Sequence, residues 1–188
     1  SAAFSGETVP GLPLDEVMAL HRRDDVDAVL VEADGSRGRL FKAPAPHEPV
    51  IPDAATHVVL LIGAGVFGQP LDEARVHRPE RVAALTGVEL GSVVTPDMVA
   101  RIITSPEGGL YHVPEGASLL PFFRSSGSVA DHMQAEQAAY KMLAHPRVTE
   151  VLFGSLHPPA HAGNTPEPVT DPSNASALQR FNAPTLQR

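Results

Sequence analysis

The stretch Val29-Leu30-Val31-Glu32-Ala33-Asp34-Gly35-Ser36-Arg37-Gly38 runs an apolar segment into two carboxylates and a glycine turn, and Arg39 and Lys42 follow at once. The residues Val26–Val31 are nearly continuous in apolar character, the pattern of a strand covered on both faces. Glu32 and Asp34 are two apart and share a face if the extended geometry persists. Gly35 permits a sharp exit that keeps both acids at the rim of the sheet. Carboxylates at the carboxyl end of a buried strand stand where α/β proteins hold metal-bound phosphates. Glu32 and Asp34 are therefore the candidate catalytic pair and the candidate ligands of a magnesium ion. Arg37, Arg39 and Lys42 would neutralise phosphate oxygens, Arg as a fork and Lys as a point charge. The layout suggests a nucleotide site of the P-loop type. The same spacing also fits a strand that ends in polar residues, its charges forming a solvated ion-pair cluster.

Downstream, Lys42 leads into Pro44-Ala45-Pro46-His47-Glu48-Pro49-Val50-Ile51-Pro52. Proline fixes φ and pushes its predecessor into extended conformations, so this arm is stiff without regular structure. It would present His47 and Glu48 rigidly beside the basic group, either to a ligand or simply as hydrogen-bonding residues. His77-Arg78-Pro79-Glu80 opens a helix. There His77 and Arg78 either meet an anion or form an ion-pair cap.

Around these motifs the chain reads as α/β. Helices are expected over Leu14–Arg23, Arg78–Thr86 with Gly87 ending it, Thr95 to Thr104 with Thr95 as N-cap, and Ser128–His145. On the last of these, Met133, Ala138, Met142 and Leu143 are expected to face inward. Strands are expected over Val26–Val31, His57–Ile62, Ala117–Phe123 and Val148–Phe153. Such alternation implies a mostly parallel sheet with helices on both faces. Residues 1–157 form the expected domain, and residues 158–188, rich in Pro, Ser, Asn and Thr, are expected to be a disordered tail.

Composition narrows the function classes. The net charge of −8 argues against a nucleic-acid partner. No cysteine is present, which removes disulfides, thiolate nucleophiles and any selenide carried on this chain's own thiol. No apolar run approaches a membrane span, and the expected location is the cytoplasm. Gly63-Ala64-Gly65-Val66-Phe67-Gly68 has dinucleotide-fingerprint spacing, but Gln69-Pro70 follows where a helix should open. A glycine turn is the better reading, and a nicotinamide-linked oxidoreductase the weakest alternative. His157 and His161 lie in a proline-rich segment and are not read as a metal pair.

Gly11-Leu12-Pro13, the Val31–Arg39 segment, Lys42-Ala43-Pro44 and His47–Pro52 together resemble the YqeC family. So do Val76–Glu80, Leu85-Thr86-Gly87, Val94–Asp97 and Pro106–Gly109. The resemblance spans about Gly11 to Leu156. It implies a P-loop NTPase fold of the kind used by cofactor-maturation and metallochaperone NTPases, with the strand ending at Glu32 as its Walker B-like strand. It also implies a role as an accessory protein of selenium-dependent molybdenum hydroxylases, in maturation or selenium loading of their cofactor. The implied ligands are a magnesium ion with a nucleoside triphosphate, or a phosphorylated cofactor. They would be held by Glu32, Asp34, Gly35, Arg37, Arg39, Lys42, His47, Glu48, His77 and Arg78. The implied protein partners are a molybdenum hydroxylase or its maturation factors.

Two features depart from that family. No G-x-x-x-x-G-K-[ST] loop is present, so the phosphate cradle, its lysine and its metal-binding hydroxyl are missing. The expectation is an N-terminally truncated fold that does not hydrolyse nucleotide alone, completed by an oligomer or by a missing half. Phe122-Phe123-Arg124-Ser125-Ser126-Gly127 stands where the family often carries an Asn-Lys-x-Asp-like segment, so no base preference follows. The alternative is a non-catalytic module that docks on the molybdenum enzyme or its assembly factors.

Overall fold

A computed structural model describes residues 11–155 and 179–182. In chain order the elements are α1 (Leu14–His21), β1 (Phe41–Lys42), β2 (His57–Gly63), β3 (Val76–His77), α2 (Pro79–Thr86), α3 (Pro96–Ile103), β4 (Ser118–Arg124), α4 (Val129–Leu143), β5 (Glu150–Gly154) and β6 (Gln179–Asn182). The architecture is α/β with two sheets. A four-stranded sheet has the order β2-β4-β5-β6, and a two-stranded ribbon pairs β1 with β3. All neighbours are parallel except β5 and β6.

Period-two alternation decides which face of the large sheet carries the core. Along β2, Val58 and Ile62 are buried while Val59 and Leu61 point outward. Leu119 and Phe123 of β4, with Val151 and Phe153 of β5, continue the inner face. Helices α3 and α4 pack on one another and share a single core with that face through Val99, Ile102, Ala135, Ala138, Ala139 and Met142. Phe67, Phe123 and Phe153 stack in tilted pairs through the middle, with ring centroids 5.8 and 5.3 Å apart.

Local chemistry fixes the helix ends. Thr95 Oγ1 accepts the Met98 amide at 3.3 Å, and Pro96 occupies the first turn, so α3 starts where a side-chain acceptor meets a preset φ. Gly87 ends α2 at φ 74°, a conformation that costs any residue with a Cβ. Gly109 is required for another reason: a Cβ there would lie 2.4 Å from the Ile103 carbonyl oxygen.

Several expectations are corrected. Val26–Val31 is not a strand: no ladder forms there, Leu30 is 96% exposed and Val31 41%. Apolar character is insufficient without a neighbouring strand to take the backbone groups. Helices do not cover both faces evenly, since Val59 and Leu61 leave the outer face of β2 open. Met133 is 56% exposed rather than inward, because nine residues at 100° each place it opposite Met142. Residues 179–182, read as part of a disordered tail, form β6 against β5. The expectations for residues 1–10, for His157 and His161, and for the rest of the tail lie outside the described residues. The glycine motif after β2 makes one 3₁₀ turn, Ala64–Val66, with no helix opening on it, as expected.

Candidate functional site

The ribbon β1–β3 sets Lys42 beside His77 in register. Phe41 and Val76, the preceding pair, are buried in the core and fix the ribbon's position. From this platform the Lys42 ammonium donates to Asp34 Oδ2 at 2.5 Å, to the Gly35 carbonyl at 2.9 Å and to Glu48 Oε2 at 3.0 Å. An ammonium has three donors, so Lys42 is saturated. Glu48 also pairs with Arg78 through its other oxygen. The four side chains are 16 to 21% exposed, which makes this a partly enclosed network rather than a solvated surface cluster. It joins the Asp34–Gly35 segment, strand β1, the proline arm and the start of α2.

The proline arm is anchored at both ends. Ala43, Pro44 and Ala45 are buried at its start, and Pro52 is buried at its finish. Between them the Tyr111 hydroxyl donates to the Pro46 carbonyl at 3.3 Å, and His112 Nδ1 lies 3.0 Å from the Pro49 carbonyl. The Glu48–Pro49 peptide is cis. Held between the buried ends and the Tyr111 and His112 contacts, Glu48 reaches the network from an anchored arm.

Electrostatics separate the two acids. Burial pushes the Asp34 carboxyl above its ordinary value, and the neighbouring Glu48 carboxylate adds to that, against the pull of Lys42. Burial works against ionisation of Glu48 too. Its hydrogen bonds with Asp34 and Lys42 and the Arg78 charge override burial and bring its pKa down to about 2. His77 is pushed below its ordinary value by burial first, then by the charges of Arg78, Lys42 and Arg37, with Glu48 opposing. Three cations thus act together at one imidazole. Arg78 Nη1 is buried with no acceptor among the described residues, a donor that an incoming oxygen would satisfy.

The structure sorts the candidate residues. Asp34, Gly35, Lys42, Glu48, His77 and Arg78 come together. Arg37, at φ 52°, contributes its charge from an exposed turn. Arg39 is spent elsewhere: its guanidinium donates to the Glu73 carbonyl at 2.5 Å and the Arg37 carbonyl at 3.0 Å, bracing the turn. His47 stands 81% exposed at the edge, 4.0 Å from Glu48. Glu32 is exposed. The Glu32–Asp34 pair does not fit a magnesium ion as arranged. One Asp34 oxygen sits 2.5 Å from an ammonium, and that charge opposes a dication. Among the described residues no three His, Asp or Glu side chains converge into a metal site.

Sequence reading missed a cavity of about 190 Å³ at the carboxyl ends of β2, β4 and β5. Ser125, Ser126, Ser128 and His132 line it. The serine run after a strand and the N-cap position of Ser128 were the available signals.

Residues 2–80 match the family model described as YqeC protein. Over 152 residues the chain is 29% identical to "Uncharacterized protein YqeC" of Escherichia coli (strain K12), covering 80% of this chain and 59% of that relative. Over these stretches the chain is similar to the YqeC family. It spans under two thirds of the length of that E. coli relative. The YqeC model ends at residue 80, so it contains every residue of the Lys42 network. No solved structure matches the chain. No described helix is long and apolar enough to cross a membrane.

Proposed function

We propose that this protein is a member of the YqeC family that binds a nucleoside triphosphate or a phosphorylated cofactor, as an accessory protein in the maturation of selenium-dependent molybdenum hydroxylases. The observation that carries the binding reading is the ribbon register that sets Lys42 beside His77, next to Arg78 at the start of α2. Arg78 adds a buried, unaccepted donor at the same place. Asp34 and Glu48 hold Lys42 and Arg78 in position, so they act as positioning residues. Arg37 supplies the accessible charge and His77 the polar surface against which a phosphate oxygen would rest. The maturation role rests on the family resemblance.

Calorimetric titration with ATP and GTP tests the binding reading. Affinity is expected to fall as salt rises, and Arg37→Ala is expected to weaken binding severalfold while leaving the fold intact. Binding that is identical in Arg37→Ala, or insensitive to salt, would remove this cluster from the reading.

One observation favours a second reading, a non-catalytic module that docks on the molybdenum hydroxylase or its assembly factors. The outer face of the sheet sets Leu61, Phe122 and Leu152 in one cross-strand row beside Val59 and Leu120. Val59 is 51% and Leu61 70% exposed. Capture of a purified hydroxylase without nucleotide, lost in Leu61→Lys, would favour docking; capture that strictly requires nucleotide would not.

A further inference from the structure

Open parallel sheets hold ligands in the crevice beyond the carboxyl ends of their strands. In this chain that crevice is the cavity above β2, β4 and β5, at a place the Lys42 network does not occupy. Its floor is apolar, formed by Phe123 and Phe153 with Ala64. Its rim is polar, and the hydroxyls there are arrayed in a fixed way. Ser125 Oγ accepts the Gly127 amide at 3.1 Å and Ser128 Oγ accepts the Asp131 amide at 3.3 Å, so both hydroxyl hydrogens remain donors. Ser126 Oγ donates to Asp131 Oδ2 at 2.7 Å, which fixes its rotamer. The His132 ring lies edge-on to Phe153, with centroids 5.3 Å apart, and its Nε2 faces Glu136 at 3.3 Å.

Charge decides what such a cavity takes. The Asp131 carboxylate stands in the first turn of α4 and offsets the positive end of that helix. Among the described residues no lysine or arginine lines the cavity. A phosphate therefore has little to bind there, whereas an uncharged ring with a hydrogen-bonding edge matches an apolar floor under hydroxyl donors.

We propose that the cavity formed by Ser125, Ser126, Ser128 and His132 over Phe123 and Phe153 binds a neutral heteroaromatic ring of nucleobase size. The choice of ring rests on the nucleotide reading above, and the test separates the two. ¹⁵N-labelled chain is titrated with adenosine and guanosine, which carry no phosphate, and separately with inorganic triphosphate. At least one nucleoside is expected to shift the amides of Ser126 to Ser128 and the His132 ring while leaving His77 unmoved. Triphosphate is expected to do the reverse. Ser126→Leu, which fills the cavity, is expected to weaken nucleoside binding at least tenfold with triphosphate binding unchanged. His132→Ala, at a half-exposed position where folding is not at stake, is expected to weaken it severalfold. The proposal is overturned if neither nucleoside moves the cavity resonances, or if both variants bind as the parent does. Nucleoside binding without any triphosphate response would sink the anion reading and leave this one standing.

Discussion

At the residue scale the account rests on how three hydrogens of one ammonium are used. Lys42 gives them to Asp34, Gly35 and Glu48, and the Arg78 charge completes a network with two acids and two bases. Removing one partner leaves the others enclosed and unbalanced, which for a fully buried pair costs roughly 3–5 kcal/mol. The side chains here keep some solvent contact, so Lys42→Ala is expected to cost about 2 kcal/mol in urea unfolding, less than the buried limit. A cost within error of zero would show that the network is loose. The pH dependence follows from the same charges. Glu48 has a folded pKa of about 2 against an ordinary 4.5, so its stabilising contribution is complete above 4.5 and is lost as pH falls toward 2. Asp34 is shifted upward and acts in the opposite sense, its ionised form being the disfavoured one. Glu48→Gln is therefore expected to lower stability at neutral pH and to flatten the acid limb between pH 4.5 and 2. An unchanged acid limb in that variant, read by urea midpoints at stepped pH, would contradict the assignment.

At the scale of elements, sequence legibility divided along a physical line. Helices α2, α3 and α4 could be read because their signals are local: a proline in the first turn, Thr95 and Ser128 as acceptors, Gly87 as a stop. Strands β2, β4 and β5 were legible from short apolar runs. The run at Val26–Val31 looked the same and is not a strand, because a strand also needs a partner and the partner is not a local property. The inner face of α4 was misread at Met133 for want of counting the helical angle. The strand at 179–182 gave no signal, since its pairing to β5 is long-range. Thr95→Ala is expected to cost about 1 kcal/mol through the lost cap. Phe123→Ala, beneath the aromatic stack, is expected to cost about 3–5 kcal/mol. Leu61→Lys, on the open face, is expected to change stability by less than about 0.5 kcal/mol. Chemical denaturation of the three variants checks the order, and a large loss in Leu61→Lys would mean that the outer face is covered.

At the scale of the whole molecule, folding gathers some of the candidate residues and leaves others aside: Glu32 is exposed and Arg39 braces its own turn. Asp34, Lys42, Glu48, His77 and Arg78 come together, but reading Asp34 as a metal ligand and Lys42 and Arg78 as free phosphate contacts leaves out the pairing that folding imposes on them. Bringing the turn, the arm and the start of α2 together lets the acids bind the bases, and that pairing depends on tertiary contacts no local motif encodes. In the proposed reading a ligand meets the charges of Arg78, Lys42 and Arg37 that act on His77, with Glu48 opposing them. An anion seated there must oppose that field and raise the imidazole's proton affinity. The most direct measurement is the His77 ring pKa by NMR, with and without inorganic triphosphate. In the free chain it should lie below the ordinary 6.5, and triphosphate should raise it, an effect that Arg37→Ala diminishes. A His77 pKa that stays the same at saturating triphosphate would contradict the account.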